Sequence, residues 1–163
     1  MRAIATGLAL TLLAAAAVAQ ESPSQQMKTF ASSAVVQELI AKAKSSRKNN
    51  QPLVAERILQ LAPYSANLEY RGAVGPAAVH ETEAELFYVI DGSATLTTGG
   101  KLVKESRTNA ENLTGTGIEG GMSREVAKGD FVIVPEKTPH WFSAIHQTLI
   151  LMSLHVPRPI PGK

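Results

Sequence analysis

The sequence predicts an all-β fold, an antiparallel sandwich or barrel preceded by one α-helix. Three observations predict it. Roughly seven short runs rich in branched and aromatic residues follow one another within about 105 residues after Pro52. Gly and Pro punctuate these runs at short intervals. The one stretch with clear helical spacing stands ahead of them all.

In that stretch Val35, Val36, Leu39, Ile40 and Ala43 fall on one helical face, with Ser32 or Ser33 placed to cap the start. Lysine and arginine fill the last turn, and Pro52 cannot extend a helix, so the spacing predicts a helix over 32–48. Its apolar stripe needs cover, most simply the outside of a sheet. The strand candidates are VAERILQLA, ANLEYRGAV, ELFYVID, SATLTTG, FVIVP, HWFSAI and TLILMSLHV. Asp91-Gly92 supplies the positive φ angles of a tight hairpin between the third and fourth. Gly99-Gly100 and Gly120-Gly121 mark two more turns, and the polar stretch 101–119 between them reads as a long loop or ragged hairpin on the surface.

The first residues read as an export signal. A basic start at Arg2, an apolar run from Leu8 to Val18 and the small-x-small pattern Ala17-Val18-Ala19 predict cleavage after residue 19. The run is too short and alanine-rich for a membrane span, so no stable membrane insertion is expected after cleavage. Residues 20–31 read as a flexible linker and 32–163 as one domain. Absence of cysteine excludes disulfides, thiolate nucleophiles and Cys-based metal sites, and fits an exported protein, periplasmic or secreted, held by packing alone.

A formal charge of +2 with no basic stripe argues against nucleic-acid binding; the run KAKSSRKNN reads as a solvated helix end. Residues 115–120 spell GxGxxG but lead into a turn and a strand, not into the helix that would receive a pyrophosphate. Asn112-Leu113-Thr114 is a glycosylation sequon read as a chance match.

Four histidines remain. His146 and His155 lack a companion at a recognisable spacing and read as structural or surface residues. His80 and His140 sit inside patterned segments. Gly72, a position held by Ala78, His80, Glu85 and Gly92 follow the spacing G-x5-H-x-H-x4-E-x6-G, with Ala78 where the first histidine belongs. Gly129, Pro135 and His140 follow G-x5-P-x-G-x2-H-x3-N, with Lys137 and Ala144 at the glycine and asparagine positions. In these two motifs, in this order, the chain resembles the cupin superfamily over about residues 68–156.

The resemblance implies an RmlC-like jelly roll, a small β-barrel with one divalent metal ion inside. It places His80, Glu85 and His140 as ligands, one histidine short of the usual set. Two imidazoles and one carboxylate with open positions suit Fe, Zn, Mn or Ni; without metal the three would hydrogen-bond to one another. Strand alternation then points Phe87 and Val89 inward with Glu85, and Phe142 inward with His140, as possible pocket lining. Glu81 and Glu83, at odd offsets from His80, read as solvated hairpin charges that only an irregular strand would bring in. Leu86, Tyr88 and Ile90 occupy the opposite face, so this strand needs outside cover from the helix or from a second subunit. The family's habit of pairing favours a homodimer.

Tyr88 and Trp141 read as packing residues, and no catalytic residue is assigned. Three functions stay open. The first is a metal-dependent enzyme, of oxygenase, isomerase or lyase type, acting on a small organic molecule. The second is a non-catalytic protein that binds a small molecule or a metal, and the third a purely structural or interaction role on the envelope.

Overall fold

The computed structural model describes residues 27–158, so the proposed signal and most of the linker lie outside the described residues. Lys28, at the end of the stretch read as linker, forms an isolated backbone bridge with Gln60. Helix α1 runs Ser33–Ser46, and the Ser32 side chain accepts from the Val35 N–H as its N-cap.

Eleven strands follow: β1 (Leu53–Leu61), β2 (Tyr64–Arg71), β3 (Ala77–His80), β4 (Glu83–Thr98), β5 (Lys101–Val103), β6 (Ser106–Arg107), β7 (Asn112–Gly115), β8 (Gly117–Glu119), β9 (Met122–Ala127), β10 (Phe131–Val134) and β11 (His140–Pro157). One nine-stranded sheet runs β1-β2-β11-β3-β7-β6, with β4 joined to β11, β9 and β10; β5 and β8 form a separate pair. All pairings are antiparallel.

Two long strands organise the barrel. Strands β4 and β11 pair along almost their whole length, from His140↔Thr98 to Pro157↔Glu83. Inward residues of both build the main core: Phe87, Val89, Ala94 and Leu96 from β4, and Phe142, Leu149 and Leu151 from β11. The opposite face of β11 packs toward α1, where Ile150, Met152 and Leu154 join Ala43, Ile58, Ala66, Leu68 and the helix stripe Val36, Leu39 and Ile40. The helix therefore covers the sheet as its spacing predicts, and Ile90 shelters beneath it. Because Ala66 and Leu68 of β2 face the helix, alternation turns Glu69 and Arg71 into the barrel.

Two turn expectations are corrected. No hairpin forms at Asp91-Gly92; β4 runs straight through, and Gly92 uses its φ of +82° to bend against β11 instead. HWFSAI and TLILMSLHV are likewise one strand, β11, whose register shifts between Ile145 and Leu149 with Gln147 at φ +73°. The polar stretch 101–119 forms the short strands β5 to β8, because backbone pairing organises a segment too polar to announce itself.

Candidate metal centre

His80 ends β3 and Glu85 follows the start of β4, with a bend at Glu81-Thr82 between the two strands. That break defeats a parity count from His80 and puts Glu83 on the same face of β4 as Glu85. His140 opens β11 beside Ala78 of β3. His155, near the far end of β11, is the cross-strand neighbour of Glu85.

These side chains converge on one carboxylate. Glu85 is 4% exposed. Its Oε2 lies 3.2 Å from His80 Nε2 and 3.1 Å from His140 Nε2, and its Oε1 lies 3.4 Å from His155 Nε2. The His80 ring stands 5.3 Å from that of His140 and 4.8 Å from that of His155, centroid to centroid. Ligand atoms of His80, Glu85 and His155 all lie within 4.8 Å of one another.

The opposite ring nitrogens are each tied outward. His80 Nδ1 is 2.5 Å from Asn112 Oδ1, His140 Nδ1 is 3.3 Å from the Thr138 carbonyl, and His155 Nδ1 is 2.9 Å from Glu83 Oε2. The Asn112 amide is oriented by its own Nδ2, which donates to Asn109 Oδ1 at 3.0 Å. All three partners are acceptors, so a ring in its neutral form keeps its proton on Nδ1 and presents an Nε2 lone pair toward Glu85, whereas a ring that gains a second proton donates from Nε2 to that carboxylate. Three lone pairs facing a carboxylate repel it unless a cation, proton or metal, stands among them. The donor set thus fits a divalent metal ion of the borderline class.

Titration behaviour follows from the same geometry. Burial pushes the Glu85 pKa up, but the hydrogen bonds from His140 and His80 hold it far below the usual carboxylate range. Burial pushes His80 down, and its bonds to Glu85 and Asn112 override this, leaving it above its ordinary value. In chelator, the depressed Glu85 adds stability above pH 4.5 that is lost as pH falls toward its folded pKa. The raised His80 adds stability in full below pH 6.5 that is lost as pH rises through its folded pKa. The melting-temperature advantage of wild type over His80→Gln is therefore expected to be greatest between pH 4.5 and 6.5. An advantage that grows steadily from pH 6.5 to 8 contradicts this.

The cupin family profile matches residues 22–159. The chain belongs to the cupin family. No curated protein matches it. Among solved structures, KdgF from a Halomonas species is 18% identical with a TM-score of 0.50, over 69% of this chain and 86% of that one. The protein TT1209 from Thermus thermophilus is 16% identical with a TM-score of 0.50, over 74% and 95%. A cupin superfamily protein from Desulfitobacterium hafniense is 10% identical with a TM-score of 0.50, over 71% and 87%. At these identities the likeness is one of fold.

In this cupin the motif residues His80, Glu85 and His140 are brought together, and His155 joins them although its spacing gave no signal. Glu83 is not a free hairpin charge, since it holds His155; Glu81 instead meets Arg107 at the surface, 2.6 Å away. His146 pairs with Glu125 on the outside, 2.9 Å away. Trp141 packs over Gly117 and donates to the Gly75 carbonyl at 2.8 Å. Lys137, at the motif's glycine position, takes the left-handed conformation a glycine would, with φ +60°, and donates its N–H to the His80 carbonyl at 2.7 Å.

The four converging residues open onto a cavity of about 240 Å3 whose walls include Leu53, Pro76, Ala78, Glu69 and Arg71. Phe87, Val89 and Phe142, the residues expected to line it, are buried in the core. Phe87 stands 6.0 Å from the His140 ring and 5.4 Å from Phe142, centroid to centroid. The walls are thus more charged than the sequence suggested: Arg71 Nη2 lies 2.7 Å from Glu69 Oε2, and Ser153 Oγ donates to Glu69 Oε1 at 3.1 Å.

Proposed function

We propose that this cupin binds a divalent metal ion through His80, Glu85, His140 and His155 and acts on a small organic molecule in the adjoining cavity. The convergence of three Nε2 lone pairs on a buried carboxylate, each ring oriented from behind, carries this reading. Bound there, the metal would supply a Lewis acid able to polarise an oxygen of the substrate or activate water. Asn112, Thr138 and Glu83 hold the imidazoles, the buried Phe87 packs beneath His140, and Ala78 keeps the cavity open where the family motif carries a histidine.

A second reading, non-catalytic capture of the same molecule, is favoured by one observation. Glu69 and Arg71 neutralise each other, which leaves the cavity without a free acid or base beyond the cluster. Elemental analysis of protein purified without chelator is expected to find metal that His80→Ala and His140→Ala lose. Protein that stays empty after loading with Fe(II), Mn(II) and Zn(II) sinks both metal readings. Turnover abolished by these substitutions separates enzyme from binding protein, which would lose only a ligand-induced rise in melting temperature.

The reading extends to export, supported by the first 19 residues, with a mature N-terminus expected at Gln20 by mass spectrometry. It also extends to a homodimer. Among the described residues β10 pairs only with β4, and Phe131 and Ile133 on it are 69% and 62% exposed, with Phe131 stacked on Tyr88 at 4.5 Å. An uncharged, apolar edge with free backbone groups suits a second copy of the same strand. Light scattering is expected to give a dimer that Ile133→Lys converts to monomer; a monomeric wild type refutes it.

A further inference from the structure

We propose that the molecule taken up is a small organic acid and that Arg71 is the residue that recognises its carboxylate. This deepens the metal-binding reading and rests on it.

Arg71 and Glu69 lie inside the barrel, on the wall of the cavity that holds the histidine cluster. A charged pair in such a place does little for stability, because desolvating both ions offsets most of their attraction. Its geometry suggests another use. Nε and Nη2 of Arg71 both reach Glu69 Oε2, at 2.8 and 2.7 Å, and the guanidinium carbon sits 4.7 Å over the Phe142 ring centre. Ser153, fully buried, fixes Glu69 in turn by donating to its other oxygen. The guanidinium is thereby held on one edge and one face.

Its remaining nitrogen, Nη1, has no hydrogen-bond partner among the described residues, and no buried side-chain nitrogen or oxygen among them lacks one. Nη1 therefore keeps accessible surface, and Arg71 is one of the residues that line the cavity. A pre-oriented arginine edge favours a carboxylate oxygen over a neutral acceptor, because charge-assisted bonds are about twice as strong as neutral ones.

Charge and size agree. Glu69, Arg71 and Glu85 leave one negative charge on the cavity wall; a divalent cation at the neutral imidazoles turns this into one positive charge, matched by one carboxylate. A volume of about 240 Å3 equals roughly eight waters at ~30 Å3 each, which limits the ligand to a small molecule. Such an acid would lay its carboxylate on Arg71 and turn a second oxygen toward the histidines.

The test is calorimetric titration of the metal-loaded protein with glycolate and malonate, against glycolamide and malonamide as neutral counterparts. Wild type is expected to bind the acids about tenfold more tightly than the amides. Glu69→Gln removes the compensating charge while keeping an acceptor for Arg71, so it is expected to tighten acid binding severalfold. Arg71→Gln alone would strand Glu69 unpaired in the barrel, so the loss is read in Glu69→Gln/Arg71→Gln, where the acid preference is expected to vanish at unchanged metal content.

Equal binding of acids and amides, or no binding of either at tens of millimolar, overturns the proposal. So does an acid preference that survives the double substitution, since the metal alone would then hold the carboxylate. If the double variant does not fold, the sign of the Glu69→Gln effect decides: weaker acid binding refutes Arg71 as the anchor. Metal content measured on each sample keeps failure of the metal site distinct, and the acid-over-amide comparison can be run on metal-free wild type as well.

Discussion

Replacing His155 with alanine is expected to lower metal affinity by about 100-fold or more, as much as replacing either motif histidine. Even partners behind a ligand are worth roughly 10- to 100-fold, and His155 Nε2 itself faces Glu85 from 3.4 Å. A site made only of His80, Glu85 and His140 would not notice the change, so this variant tests whether His155 is a ligand; a site made only of His80, Glu85 and His155, whose ligand atoms lie within 4.8 Å of one another, would instead tolerate His140→Ala. Glu83→Gln is expected to have a milder effect, since it weakens the bond that holds His155 Nδ1.

A second substitution makes the test sharper. Ala78 lies on the cavity wall beside His140 and occupies the first histidine position of the motif. Adding Ala78→His to His155→Ala is expected to restore metal, because it returns a third imidazole, the fourth ligand, to the same cavity from a different strand. Competition against a chelating dye measures all four proteins. Unchanged affinity in His155→Ala would reduce His155 to a partner of Glu83 and leave the centre with three ligands.

Gly92→Ala is expected to destabilise the fold by about 3 kcal/mol, against about 1 kcal/mol for Gly129→Ala. Both glycines have left-handed backbones, with φ of +82° and +95°. Only Gly92 also lacks space: a Cβ there would overlap the Thr148 carbonyl oxygen, whereas nothing lies within 4 Å of one at Gly129. Thr148 belongs to β11 and cannot withdraw without disturbing Leu149, which is fully buried and directly opposite Gly92. The two variants therefore separate conformational strain from collision. Urea denaturation measures the difference; equal losses would mean that the bend in β4 can open.

These glycines show how motif spacing was legible while its cause was not. Gly92 reads as a hairpin residue because Asp-Gly favours positive φ, and that much is right; the angle serves a bend within one long strand. His80, Glu85 and His140 could be found because the spacing is a property of the chain. His155 could not, since it lies an odd number of residues from His140 and β11 changes register three times, as its pairing with β4 shows. Each irregularity can turn the inward face over, so alternation carried from one end of the strand says nothing about the other.

Glu69 and Arg71 escaped for a simpler reason. They alternate with Ala66, Leu68 and Tyr70, which reads as an ordinary strand with a solvated face. Only the closure of the barrel, with α1 covering the apolar side, makes that charged face the interior.

Asn112 couples this interior to the choice of expression host. Its Oδ1 orients His80 and its Nδ2 is already given to Asn109, yet Asn112-Leu113-Thr114 is a sequence that a eukaryotic secretory pathway attaches sugar to, at that same Nδ2. Protein recovered from yeast or insect-cell medium can therefore carry a glycan where the tautomer of His80 is set, and its metal content would differ from that of the bacterial product with no change of sequence.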